Sequence, residues 1–130
     1  MSINKIRSEN FEWYTTQELA ELLDVRPEWL RKNRKTKNPI PFKPFGRNKV
    51  RYSKQEVLQW IGRKDLPLRF YSTKSLSVIL KVSEDWLRHN RLDNKNSIPH
   101  RSFGRLVRYN ESEVNSWIKN KNSVDTTTLS

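Results

Sequence analysis

Residues 27–34 read Pro27-Glu28-Trp29-Leu30-Arg31-Lys32-Asn33-Arg34, and residues 84–91 read Glu84-Asp85-Trp86-Leu87-Arg88-His89-Asn90-Arg91. One phrase, Trp-Leu-Arg-x-Asn-Arg, is written twice, 57 residues apart. Working outward at that shift, Leu19, Leu23 and Val25 meet Leu76, Leu80 and Val82. After one extra residue in the second stretch, Ile40-Pro41 meets Ile98-Pro99, and Phe45-Gly46-Arg47 meets Phe103-Gly104-Arg105. The shift then returns to 57: Val50-Arg51-Tyr52 meets Val107-Arg108-Tyr109, and Trp60-Ile61 meets Trp117-Ile118. Matches this dense imply duplication of a unit of some fifty residues. Two such units make two small domains, since solenoids need three or more repeats. The expected boundaries are residues 11–62 and 69–121, with flexible tails at 1–10 and 122–130.

Each unit divides the same way. Thr15-x-x-Glu18 is a capping box that opens a short helix with Leu19, Leu22 and Leu23 along one face. The second unit keeps the stripe as Leu76, Ile79 and Leu80 but has Ser75 where the box needs Glu. Asp24-Val25-Arg26-Pro27 interrupts the pattern. Pro27 suits the first turn of a second helix, and Ser83 can cap its counterpart. Those second helices are expected over residues 27–35 and 84–91, so each pair of helices forms a helix-turn-helix candidate. Trp29 and Trp86 are expected in the core. The cations Arg31, Lys32, Arg34 and Lys35, with Arg88, His89 and Arg91, spread over the outer face.

Residues 42–52 then alternate apolar and basic positions, which reads as strand, turn, strand. The expected tip, residues 46–49, is cationic and shortens in the second unit to Gly104-Arg105-Leu106. A hairpin after a helix-turn-helix is a wing. Ser53-x-x-Glu56 and Asn110-x-x-Glu113 cap a closing helix, with Val57, Trp60 and Ile61, and likewise Val114, Trp117 and Ile118, facing the core. Residues 62–69 connect the units, and Leu66-Pro67-Leu68 suggests a stiff or docked connector.

Composition narrows the function. Lys and Arg number 26 against 14 Asp and Glu, a formal net charge of +12 over 130 residues. The excess is shared: residues 11–64 hold 13 basic and 6 acidic side chains, 13 − 6 = +7, and residues 68–121 hold 11 and 5, 11 − 5 = +6. A chain this basic is expected to meet a polyanion, nucleic acid above all. There is no cysteine and there are only two histidines, His89 and His100, so no metal-ligand spacing is legible. No cofactor is implied. No secretory signal or stretch approaching ~20 apolar residues is present, so the chain reads as cytoplasmic and nucleoid-associated. No nucleophile–base pair suggests an enzyme.

Taken in order, Thr15-Thr16-Gln17-Glu18-Leu19-Ala20-Glu21-Leu22-Leu23-Asp24-Val25, the basic second helix, Phe45-Gly46-Arg47, Val50-Arg51-Tyr52, Glu56-Val57 and Trp60-Ile61 resemble the excisionase-type winged helix-turn-helix, a relative of the DNA-binding domain of MerR-type regulators. The resemblance covers nearly all of each unit. It implies a mainly α fold with small β-hairpin wings, as a tandem duplication of a MerR-like winged helix-turn-helix domain. It also implies a second helix in the major groove, with Arg31, Lys32, Arg34, Lys35, Arg88, His89 and Arg91 as readers. The wings would contact DNA through Arg47, Asn48, Lys49 and Arg105. No long dimerisation helix or effector domain is legible within these residues, so no small-molecule effector is expected. The implied function is sequence-specific double-stranded DNA binding by a monomer on two direct-repeat half-sites. The leading role is that of an excisionase, or recombination directionality factor, of a mobile element, with a recombinase or integrase as candidate partner. A small transcription regulator and a non-DNA adaptor are the alternatives.

Overall fold

A computed structural model describes residues 13–62 and 68–129, and the chain splits into two compact units, Met1–Leu68 and Arg69–Ser130. The tail at residues 1–10 and most of the connector, including Leu66 and Pro67, lie outside the described residues.

Unit 1 runs β1 (Trp13–Tyr14), α1 (Thr16–Leu23), α2 (Pro27–Asn33), β2 (Lys43–Gly46), β3 (Lys49–Ser53) and α3 (Lys54–Ile61). The capping box forms with both of its bonds: the Glu18 amide donates to Thr15 Oγ1 and the Thr15 amide to Glu18 Oε1, each at 3.0 Å. Helix α1 stops because Asp24 turns left-handed at φ 57°, and the Val25 amide bonds back to the Ala20 carbonyl at 2.9 Å. That back-bond closes a Schellman-type stop and sends the chain into α2. Leu19, Leu23, Leu30, Ile40, Tyr52 and Val57 are fully buried, so the hairpin and all three helices share one small core.

Unit 2 repeats the order with β4 (Phe70–Tyr71), α4 (Thr73–Leu80), α5 (Glu84–Asn90), β5 (Arg101–Phe103), β6 (Leu106–Asn110) and α6 (Glu111–Leu129). Ser72 and Ser83 cap α4 and α5, accepting from the Ser75 and Trp86 amides at 3.0 and 2.9 Å. Leu76, Leu87, Ile98, Tyr109 and Val114 form the core, with Leu80, Val82, Trp117 and Ile118 packed against it. Among the described residues there are thus six helices and two small antiparallel sheets, consistent with a winged helix-turn-helix fold.

Several expectations need correcting. Each sheet has a third strand: β1 pairs with β3 through Trp13↔Ser53 and Tyr14↔Tyr52, and β4 pairs with β6 through Phe70↔Asn110 and Tyr71↔Tyr109. Two residues are too few to show an alternation. The second helices end at Asn33 and Asn90, short of residues 35 and 91, because the last turn tightens. The Lys35 amide bonds to the Lys32 carbonyl, three residues back, at 3.0 Å. Trp86 is 45% exposed and is not core, and Ile79 is 52% exposed although it belongs to the predicted stripe. Their helices rest on the core through Leu87 and Leu76.

The wing tips differ from expectation too. Each has two residues between its last paired positions, Arg47-Asn48 between Gly46 and Lys49 and Gly104-Arg105 between Phe103 and Leu106. The residue that unit 2 lacks is the bulge in β2, where the register shifts between Pro44 and Gly46 and leaves Phe45 unpaired. Finally, α6 continues to Leu129, through the predicted flexible tail at 122–130. Helix α3 is stopped by Gly62 at φ 101°. No glycine or proline occurs in residues 111–129, so nothing there imposes a comparable stop.

Candidate nucleic-acid interface

The repeated phrase is first of all a structural device. Leu30 and Leu87 are fully buried. The Asn33 side-chain oxygen accepts from the Ile40 amide at 2.9 Å, and the Asn90 oxygen accepts from the Ile98 amide at 2.9 Å, closing the loop after each second helix. Arg34 Nη1 donates to the hydroxyls of Tyr52 and Thr16 at 2.8 and 3.4 Å, and its guanidinium lies 5.7 Å from the Phe42 ring centroid. Arg91 Nη1 donates to Tyr109 and Thr73 at 2.8 and 3.1 Å. Both tyrosines are fully buried. One guanidinium therefore ties the end of α2 to α1 and to β3, and another ties α5 to α4 and β6. Sequence places Arg34 and Arg91 among the outward readers; here one edge of each guanidinium faces inward, and each side chain is partly buried.

The remaining cations of α2 stay outside. Arg31 and Lys32 are exposed, and Lys35 is exposed in the turn beyond the helix. Arg31 approaches one acid, Glu28, at 3.9 Å. Its wing adds exposed Arg47, Asn48 and Lys49. Asn48 adopts φ 62°, the left-handed conformation that a two-residue hairpin tip needs and that Asn tolerates. Two more cations belong to this surface: Arg26, exposed at the N-terminal cap of α2, and Lys43, exposed on β2 with its ammonium 5.8 Å from the Trp13 ring. Lys43 falls in the alternation of residues 42–52, a signal that could have marked it.

Unit 2 presents a different surface. Arg88 and His89 are exposed on α5. Arg88 Nη1 sits 2.7 Å from Asp85 Oδ1, and its Nη2 sits 3.2 Å from Glu84 Oε1. His89 Nδ1 lies 2.8 Å from the Asp85 carbonyl oxygen, so that nitrogen carries the proton. In the wing only Arg105 stands at the tip. Arg101 pairs with Glu113 at 3.0 Å, both largely buried, and Arg108 is buried with Nη1 donating to the Val107 carbonyl at 2.7 Å.

The geometry has a counterpart among known proteins. Residues 13–65 match a family model described as a helix-turn-helix domain, a span that covers α1, α2, the wing and α3 of unit 1. No curated protein and no solved structure matches the chain. The match supports sequence-specific DNA binding and DNA as a partner. Among the described residues, no group of three or more His, Cys, Asp or Glu could hold a metal ion, and no helix is long and apolar enough to cross a membrane.

Proposed function

We propose that this chain is a duplicated winged helix-turn-helix protein of the excisionase type, which binds tandem sites on double-stranded DNA and shapes them for a recombinase of a mobile element. The observation that carries the DNA part is the cationic surface of unit 1. Arg31, Lys32, Arg47 and Lys49 are all exposed, on the second helix and the wing of a segment that matches the helix-turn-helix model. The duplication rests on the repeated sequence and on the matching order of elements in the two units. Binding, with no catalysis and no cofactor, is the proposed activity, and the nucleoid its proposed location.

Duplication supplies what a symmetric dimer supplies elsewhere. A single small module binds modestly, and covalent linkage makes the second encounter intramolecular, raising avidity without new contacts. Head-to-tail linkage favours two half-sites in the same orientation, with centres about one helical turn, ~34–36 Å, apart.

Selection of bound duplexes from a random pool, followed by footprinting and a bending assay, tests the proposal. The expected result is one chain on a direct repeat, with bent DNA. With roughly six to ten phosphates contacted, log K should fall against log salt with a slope of about −5 to −9. A slope near zero would overturn DNA binding. Site-specific binding without bending, at a promoter, would favour the transcription regulator. A two-to-one protein-to-site ratio would overturn the monomer.

A further inference from the structure

We infer that the two second helices do unequal work on DNA: α2 reads bases, whereas α5 holds its half-site without reading it, because Glu84 and Asp85 engage Arg88. This deepens the reading proposed above and rests on it.

Charge comes first. Residues 27–35 hold four cations and one acid, 4 − 1 = +3, whereas residues 84–92 hold two cations and two acids, 2 − 2 = 0. Arg34 in the first stretch and Arg91 in the second are engaged alike by a tyrosine and a threonine hydroxyl, so the contrast lies in the other cations. Those are Arg31, Lys32 and Lys35 in the first stretch and Arg88 alone in the second, and Arg88 contacts both acids. Lys35 of the first stretch is replaced by Leu92, which is 76% exposed, and Lys32 by His89. In the docked helix-turn-helix it is the N-terminal residues of the second helix that meet base edges. That end of α5 is Glu84-Asp85, while α2 offers Pro27-Glu28 with Arg26 before it.

An exposed ion pair is weak on its own, and a phosphate could draw Arg88 away from its acids. The pair is therefore not the obstacle by itself. Removing Arg88 from Glu84 and Asp85 would leave two carboxylates facing a polyanion, and juxtaposed like charges oppose docking. A smaller penalty attends Arg31, which has one acid, 3.9 Å away, beside the exposed cations Lys32 and Lys35. The wings repeat the contrast. Lys43 is exposed in unit 1, while Arg101, its counterpart, is paired with Glu113. Unit 2 keeps enough exposed cations, among them Lys74, Lys81 and Arg105, to touch phosphates. Phosphate contacts position a protein but carry no sequence information.

The test uses the full chain and a duplex selected from a random pool, with each base pair of the footprint substituted in turn. Substitutions under α2 should weaken binding about tenfold at the contacted positions, and those under α5 by less than about twofold. Arg31→Ala should flatten the preference at one position of the first half-site. Arg88→Ala bares Glu84 and Asp85 and should weaken binding to all sequences alike, leaving the base preferences of both half-sites unchanged. The decisive variant is Glu84→Ala/Asp85→Ala, which adds no base-reading group of its own and should create a base preference in the second half-site through the freed Arg88. A change in net charge alone raises affinity for all sequences alike, so it cannot imitate that result. Equal base information in both half-sites, with Arg88→Ala flattening the second, would overturn the inference and leave DNA binding standing. A pool that yields bound duplexes with no motif would overturn base reading by α2 as well.

Discussion

Units 1 and 2 carry nearly equal formal charge, +7 over residues 11–64 and +6 over residues 68–121, yet they dispose of it differently on the second helix and the wing. Unit 1 leaves Arg31, Lys32, Lys43, Arg47 and Lys49 at its surface. Unit 2 sets Arg101 against Glu113, buries Arg108, and lays Arg88 across Glu84 and Asp85. Their aromatic pairs differ as well. Trp13 and Phe45 meet edge-on at 5.1 Å with Phe45 half exposed, whereas Phe70 and Phe103 meet at 5.6 Å with both rings buried. The bulge at Phe45 accounts for that difference, because it takes the residue out of the pairing that holds Phe103. Net charge thus describes how a unit attracts a polyanion at a distance; the disposition of each cation decides what it can do on contact.

The comparison can be broken most forcefully from inside. Leu30→Ala and Leu87→Ala each truncate a fully buried side chain and should each cost about 2–5 kcal/mol. Urea denaturation of the full chain, followed by tryptophan fluorescence, should show equal losses. Their effects on DNA should differ: loss of base preference for the first, weaker binding with preference retained for the second. Identical effects on preference would remove the functional contrast.

The arginine clamps should be alike where the surfaces are not. Arg34→Ala and Arg91→Ala each deprive a buried tyrosine hydroxyl of its 2.8 Å partner and should cost about 1–3 kcal/mol. Arg34→Lys keeps the charge but lacks the planar fork. It should be destabilised almost as much in the same urea measurement. Full stability in Arg34→Lys would mean that the charge matters and the clamp does not.

A smaller effect sharpens the contrast between the closing helices. Gly62 adopts φ 101°, and nothing lies within 4 Å of a Cβ added there. Gly62→Ala should therefore cost about 1 kcal/mol through backbone strain alone. Lys119→Gly, inside α6, should cost about 1 kcal/mol of helix propensity and lower the helical circular dichroism. Unchanged dichroism would mean that α6 does not persist beyond that point.

The smallest effect belongs to alkaline pH. The Tyr71 hydroxyl donates to Glu111 Oε2 at 2.6 Å, and this bond, with burial and the nearby carboxylate charge, holds its pKa above the ordinary 10.0. The folded state then keeps a proton that the unfolded chain gives up. Stability from this bond is complete below pH 10 and falls as pH rises through the folded pKa. Denaturation curves above pH 10 should show a steeper decline for wild type than for Tyr71→Phe; coincident curves would remove the bond from the account.

Much of this fold was legible because its signals are local. Thr15, Ser53, Ser83 and Asn110 each cap a helix within two or three residues, and the apolar spacing of Leu19 and Leu23 marks the buried face of α1. What stayed hidden depends on distant partners. Arg34 and Arg31 look equivalent on a short basic helix, but the hydroxyls that engage Arg34 lie 18 residues away on either side. Sequence likewise shows that unit 2 lacks a residue near its wing, but only strand register reveals that the loss is a bulge and not part of the tip. Strand β1, two residues long, exists through its pairing with β3 and leaves no pattern of its own.

The asparagine at the end of each second helix has a use in protein engineering. Asn33 reaches an amide seven residues on and Asn90 one eight residues on, at the same 2.9 Å. Two loop lengths are thus closed by one bond, and by loop entropy the extra residue costs only about 0.1 kcal/mol. The clasp fixes the two ends, and within the loop the Asn38 carbonyl accepts from Trp60 Nε1 at 3.3 Å, as Asn96 does from Trp117 at 3.2 Å. Residues 36 and 37, between those ties, are exposed, so a short foreign peptide, an epitope or a protease site, could be grafted there without moving either α2 or the wing.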